Sequence, residues 1–109
     1  MKIAVAYENG EVLERLCDVK QFKIYKTDGE RISSCDVISA RHGISRVTDF
    51  LSAKTVDVLI CGEISEEVKQ RLSELKIEIC QDVRGNCDAV VSAYLIQKGA
   101  YNILSQRGS

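Results

Sequence analysis

The sequence has no proline and no tryptophan, and several common signatures are also missing. No apolar run approaches the ~20 residues of a membrane-spanning helix, so a membrane protein is not expected. There is no CxxC pair, which argues against a zinc ribbon and a thioredoxin-like site. Walker A, GxGxxG and GxSxG motifs are absent as well. These absences remove the commonest local signatures of metal, nucleotide and hydrolase chemistry.

The chain also has no excess of charge of either sign. Its 15 Lys and Arg residues face 16 Asp and Glu residues, which gives a net charge of -1. The basic residues do not cluster with the four Tyr and two Phe residues, so a nucleic-acid partner is not expected. The first apolar run is too short for a signal-peptide core, so we expect a cytoplasmic protein. A length of 109 residues with 45% hydrophobic residues predicts one domain with a real core.

Cysteine, in contrast, is abundant. The chain has five, an odd number that leaves one outside any closed set of disulfides, and a cytoplasmic chain keeps its thiols reduced. Their spacing does not match a ferredoxin-type cluster motif. A free cysteine is often simply a small buried hydrophobic residue, and this explanation stays open for each of them. The five are Cys17, Cys35, Cys61, Cys80 and Cys87.

The hydrophobic pattern predicts strands mainly in the first half of the chain and alternating helices and strands in the second. Asp28-Gly29 reads as a hairpin turn, Ser65 and Asn86 as helix N-caps, and Gly99 as the residue that ends the last helix. The predicted elements are strand Lys2–Tyr7, helix Glu11–Cys17, strands Lys20–Lys26 and Arg31–Ser39, helix Ile44–Lys54, strand Val56–Cys61, helix Ile64–Leu75, strand Ile77–Gln81 and a helix from Asn86 to Lys98.

These elements predict an α/β fold in which one antiparallel hairpin precedes parallel strands with right-handed crossovers. The expected architecture is a three-layer α/β/α sandwich around a five-stranded mixed sheet. Residues 1–99 would form the domain, and residues 100–109 a partly ordered C-terminal tail. Cys35 lies in the middle of a predicted strand, so we expect it in the core.

Ligands of open α/β sheets bind beyond the carboxyl ends of the strands. The loops at that edge carry Asn9 and Gly62, and they bring four candidate ligands toward one rim. Thiolate and imidazole groups together suit soft metals and iron–sulfur clusters, which predicts a metal or cofactor site there. A turn position without a ligand role stays open for the histidine. The four candidate ligands are Cys17, His42, Cys61 and Cys87.

A thiol enzyme is the catalytic alternative, with Cys61 as nucleophile and His42 as base. A reactive thiolate needs electropositive surroundings, and the neighbouring Glu63 argues against them. We therefore expect no enzyme.

The sequence resembles the dinitrogenase iron–molybdenum cofactor biosynthesis family over residues 1–99. The resemblance rests on the opening strand with Asn9-Gly10, the central strand Val56–Gly62, and the glycines at 85 and 99 that bracket the last helix. It implies a ribonuclease H-like fold with strand order 3-2-1-4-5 and strand 2 antiparallel. It also implies a non-enzymatic domain that binds or carries an iron–molybdenum cofactor or an iron–sulfur precursor cluster, with a cluster donor or acceptor protein as partner.

The chain departs from the family pattern at Arg15-Leu16-Cys17, where the family often shows His-Phe-Gly. The guanidinium of Arg15 stays protonated and is not a metal ligand, whereas Cys17 offers a thiolate in its place. The alternative is a divergent protein-interaction or regulatory domain of the same fold that binds no metal. The sequence leaves the oligomeric state open.

Overall fold

The computed structural model describes residues 1–29, 31–39 and 47–107, with side chains described as far as residue 97. A short 3-10 helix, Leu16–Asp18, lies between the second and third strands. The longer elements are β1 (Lys2–Glu8), β2 (Glu11–Val12), β3 (Gln21–Asp28), β4 (Arg31–Ser39), α1 (Val47–Ala53), β5 (Val58–Ile60), α2 (Glu66–Glu74), β6 (Glu78–Cys80) and α3 (Cys87–Arg107).

The strands form one mixed sheet that follows the path β4-β3-β1-β5-β6, while β2 pairs with β1 beside this path. Strand β3 is antiparallel to both of its neighbours, and β1, β5 and β6 are parallel. The predicted mixed α/β fold is confirmed. The described residues form six strands rather than five because of β2. The ribonuclease H-like assignment and the domain division at residue 99 stay predictions.

The predicted helix Glu11–Cys17 is wrong, and the turn before it gives the reason. Asn9 and Gly10 both have positive φ, 50° and 87°. A two-residue turn of this kind matches the twist of a β-hairpin. Accordingly Tyr7 pairs with Val12, and the chain returns along β1 before it enters the 3-10 helix.

Helices cover both faces of the sheet, which makes an α/β sandwich. On one face α1 and α2 pack their apolar residues, such as Leu51 and Leu72, against Ala4, Phe22 and Leu59. Phe22 also stacks on Phe50, with ring centroids 5.5 Å apart. On the other face α3 covers a second cluster of buried residues, Ile3, Val5, Val12, Tyr25, Val58, Ile60, Cys87, Val91 and Leu95. None of the helices in the described part of the chain is long and apolar enough to cross a membrane.

Both predicted helix N-caps are confirmed. The amide of Val68 donates to Ser65 Oγ over 3.4 Å, and the amide of Ala89 donates to Asn86 Oδ1 over 3.0 Å. The predicted end of the last helix at Gly99 is wrong, because α3 continues to Arg107. Glycine inside a helix costs only about 1 kcal/mol relative to alanine. The residues that follow contain no proline, so nothing local stops the helix.

The prediction that Cys35 lies in the core is also wrong. Its side chain is exposed, because β4 is at the edge of the sheet. Of the nine residues of β4, eight are exposed and only Ile38 is half-buried. A central strand position and an edge strand position have the same local sequence pattern, which is why the pattern misplaced this residue.

Candidate functional site

The carboxyl edge of the sheet is crossed by the chain that leaves the first hairpin. The amide of Val12 donates to Gly85 O over 2.9 Å, and the amide of Leu13 donates to Ala6 O over 2.8 Å. Further on, the amide of Leu16 donates to Glu63 O over 2.9 Å. Residues 11–16 are therefore held by backbone hydrogen bonds above the ends of β1 and β5, the place where an open sheet would otherwise offer a crevice.

Gly62 lies directly beneath this segment. A Cβ atom at Gly62 would lie 2.2 Å from Glu14 O and 2.7 Å from Leu13 O, both of them backbone atoms that cannot turn aside. The amide of the next residue, Glu63, donates to Glu14 O over 2.7 Å. Only glycine allows this close approach, so the position that the sequence offered as a cofactor contact packs against the chain itself.

Cys17 follows the crossing segment and its side chain is exposed. It lines an open groove of about 1050 Å³, together with Tyr7 at the end of β1 and Ser39 at the end of β4. The Cys17 thiol donates a long hydrogen bond to Asp18 Oδ1, with Sγ and Oδ1 3.9 Å apart. Basic side chains at positions 15 and 20 and carboxylates at 8, 14 and 18 share the groove walls. The groove therefore holds one accessible soft ligand among charges of both signs.

Cys61 and Cys87 are buried in different places. Cys61 belongs to the apolar cluster under α1 and α2, and Cys87 belongs to the cluster under α3. The structure thus puts them on opposite faces of the sheet. Burial raises the pKa of the Cys61 thiol to about 12, with a further contribution from Cys80, and raises that of Cys87 to about 11. Both groups are protonated thiols at neutral pH, which is the form that does not bind metals.

The three candidate cysteines are therefore not brought together. Within the described ranges, no group of three or more His, Cys, Asp or Glu side chains could hold a metal ion. Asn9 is at the hairpin turn, where its left-handed backbone is explained by the turn itself. His42 lies outside the described residues; in the sequence it comes three positions after Ser39, which lines the Cys17 groove.

Asp88, a residue that the sequence analysis did not single out, links the first turn of α3 to strand β3 of the sheet. Asp88 accepts hydrogen bonds from Tyr25 Oη at 2.5 Å and from Lys23 Nζ at 2.8 Å. The hydrogen bond from Lys23 lowers the pKa of Asp88, and the same bond raises the pKa of Lys23. Burial, together with Asp88, raises the pKa of Tyr25. No local pattern joins residues more than sixty positions apart, so only the fold shows this contact.

The fold and the site define a small mixed α/β domain with one accessible thiol in a groove at the carboxyl edge of its sheet. The chain belongs to the family described as dinitrogenase iron-molybdenum cofactor, whose match covers residues 1–97. The family resemblance described from the sequence is confirmed.

Solved structures agree with this fold. A candidate dinitrogenase from Methanocaldococcus jannaschii, MJ0327, is 26% identical, with a TM-score of 0.75 and 89% of each chain covered. The crystal structure of PH0822 is 16% identical with a TM-score of 0.82, and covers 87% of this chain and 88% of its own. A candidate NifB protein from Thermotoga is 19% identical with a TM-score of 0.68 and 85% of each chain covered. The last two likenesses concern the fold alone. A comparison with curated proteins finds no significant match.

Proposed function

We propose that this chain is a non-enzymatic cytoplasmic domain that binds an iron–sulfur or iron–molybdenum cluster as cargo in the groove beside Cys17. The single observation that carries the proposal is the exposed thiol of Cys17 in an open groove at the carboxyl edge of the sheet. Membership of the dinitrogenase iron-molybdenum cofactor family supplies the class of cargo.

The Cys17 thiolate is the first proposed ligand, because thiolates are the usual protein ligands of iron–sulfur clusters. His42 is the second, since its place three positions after Ser39 puts it within chain reach of the groove. Cys61 and Cys87 are left out of the ligand set, because each would have to leave an apolar cluster on its own face of the sheet.

A site with so few protein ligands suits a carrier. Each protein–metal bond that holds a cluster must break when the cluster passes to an acceptor. A cluster held by one thiolate and one imidazole is therefore easier to transfer than a cluster held by four cysteines. The proposed partner is accordingly a protein that donates or accepts the cluster. The wide groove leaves much of a bound cluster open to that partner.

Anaerobic reconstitution with iron and sulfide tests the proposal. The wild-type chain is expected to take up iron and to show visible charge-transfer absorption, and Cys17→Ser is expected to lose both. Cys35→Ser is the matched control, because Cys35 is exposed as Cys17 is but lies on β4 away from the groove lining. His42→Ala should weaken uptake. Equal uptake by Cys17→Ser and Cys35→Ser would reject Cys17 as the ligand.

The alternative is a protein-interaction or regulatory domain of the same fold that binds no metal. It is favoured by one observation, namely that the described side chains include no ready group of three metal ligands. The same reconstitution separates the two functions: a folded wild-type chain that takes up no cluster supports the alternative, and stoichiometric uptake that depends on Cys17 rules it out.

A further inference from the structure

Strand β4 is the last strand of the sheet path, and its outer edge carries backbone groups that point away from β3. The amide of Thr27 donates to Met1 O over 2.9 Å, which fixes the alternation of hydrogen bonds along β3. Odd-numbered residues of β3 bond toward β1, and even-numbered residues bond toward β4. In the observed register Ile24 pairs with Asp36 and Tyr25 with Cys35, so Asp36 bonds inward and Cys35 bonds outward. No strand in the described part of the chain pairs with this edge.

A β-bulge at Ser33 gives this edge an apolar strip. The register shifts between Lys26 and Thr27, so that Tyr25 lies opposite Cys35 but Thr27 lies opposite Ile32. Because Tyr25 and Thr27 share one face of β3, Cys35 and Ile32 share that face of β4, and so does Val37. Ile32 is 37% exposed and Val37 is 44% exposed. The strip Ile32–Cys35–Val37 is thus an apolar surface along an open strand edge.

We infer that β4 pairs antiparallel with β4 of a second copy of this chain, around a two-fold axis at Cys35. In this register Cys35 lies opposite Cys35 of the partner subunit. Since one residue lies opposite two at a bulge, Val37 reaches Ile32 of the partner subunit on the same face. A bulge often protects an edge from pairing. This one instead makes the apolar strip complementary to its own copy.

The register centred on Cys35 avoids one unfavourable charge pairing. It places Asp36 opposite Ser34 of the partner subunit and leaves no like charges face to face. One neighbouring register that keeps the hydrogen-bond alternation is centred on Asp36, and it would set two carboxylates directly opposite each other, which destabilises a strand pair. The register centred on Cys35 is free of this repulsion and also brings Val37 to Ile32 of the partner subunit.

Thiol cross-linking tests this inference, with Cys17→Ser as the background so that Cys35 is the accessible thiol. Diamide takes two electrons and two protons from a pair of thiols and leaves a disulfide between them. Because Cys35 bonds outward, the two Cys35 residues form a hydrogen-bonded antiparallel pair, whose Cα atoms lie about 5.5 Å apart, a separation that suits a disulfide. We expect a covalent dimer whose mass-spectrometric peptide map shows Cys35 joined to Cys35, together with a concentration-dependent dimer in sedimentation velocity under reducing conditions.

Two lysine substitutions at equally exposed apolar positions provide the control. Val37→Lys is expected to slow cross-linking by at least about tenfold, because lysine on an edge strand opposes pairing. Leu75→Lys should leave the cross-linking rate unchanged, although Leu75 is 45% exposed and Val37 44%. The inference fails if the folded chain stays monomeric at every soluble concentration. It also fails if Cys35 in the Cys17→Ser chain cross-links no faster than Cys17 does in Cys35→Ser. Equal cross-linking rates of Val37→Lys and Leu75→Lys would overturn it as well.

Discussion

Replacing Gly62 by alanine is expected to dislodge the segment that leads to Cys17. The new methyl carbon would lie 2.2 Å from Glu14 O and 2.8 Å from Glu14 C. A real Cβ cannot approach backbone atoms so closely, and the backbone cannot rotate away as a side chain can. The crossing segment must therefore lift from the ends of β1 and β5.

The size of the effect follows from the contacts that this movement breaks. Two backbone hydrogen bonds join the segment to Glu63, at 2.7 and 2.9 Å, and each contributes about 1 kcal/mol. Overpacking adds about 1–3 kcal/mol. The expected loss is therefore about 3–5 kcal/mol in the free energy of unfolding, out of the ~5–15 kcal/mol of a typical domain. The variant should still fold at low temperature, with a Tm lowered by at least roughly 10 °C.

Urea and thermal unfolding measure the loss, and the labelling rate of Cys17 by a thiol reagent reports on the segment. Gly29→Ala is the control. Gly29 has φ +64° and nothing within 4 Å of an added Cβ, so its substitution strains the β3–β4 turn by about 1–2 kcal/mol without touching the segment. Gly62→Ala should change both stability and Cys17 labelling, and Gly29→Ala only stability. A Gly62→Ala variant within about 0.5 kcal/mol of wild type would refute the close packing at this position.

Three further predictions concern pH, thiol reactivity and a helix cap. Because the pKa of Asp88 is lowered in the folded state, its contribution to stability is present above its ordinary value of 3.8 and is lost as the pH falls through the folded value. Asp88→Asn should therefore reduce stability at pH 7 and flatten its dependence on acid pH in urea titrations. Cys61 and Cys87, with pKa values raised to about 12 and about 11, should resist alkylation at pH 8 in the folded chain and react at once in urea, and rapid labelling of either one without urea would contradict their burial. Ser65→Ala should lower the free energy of unfolding by about 1 kcal/mol through the lost N-cap of α2, whereas Ser33→Ala, on the exposed edge strand, should change it less.

The features that were predicted correctly are those that short stretches of sequence determine. Ser65 and Asn86 cap their helices through side-chain contacts three residues along the chain, so the local sequence was enough. The helix expected at 11–17 failed where two local signals compete. Val12, Leu13 and Leu16 have helical spacing, but Asn9-Gly10 is a hairpin turn that pairs Val12 with Tyr7. A helix of about two turns is too short to nucleate alone.

The sequence analysis expected its candidate ligands at the carboxyl edge of the sheet, but it did not assign them to faces. Successive strand residues point to opposite faces, so Cys61 lies with Leu59 rather than with Ile60. This alternation was present in the sequence and would have separated Cys61 from the cysteine at the start of α3. The exposure of Cys35 does not follow from this alternation. It depends on β4 being the last strand of the path, a position that the strand order implied by the family resemblance already gave to the strand Arg31–Ser39.

The path of the first hairpin also explains why Cys17, among the candidate cysteines, is the accessible one. Residues 11–16 cover the ends of β1 and β5, the switch point where an open sheet would hold its ligand. The antiparallel β3 begins at the same edge, where Gln21 pairs with both Tyr7 and Ser39. The groove lined by Cys17 therefore lies on the side of β1, β3 and β4, between the segment that carries Cys17 and the end of β4. A cluster bound in this groove, as we propose, would contact Cys17, whereas Cys61 and Cys87 are buried in apolar clusters on opposite faces of the sheet.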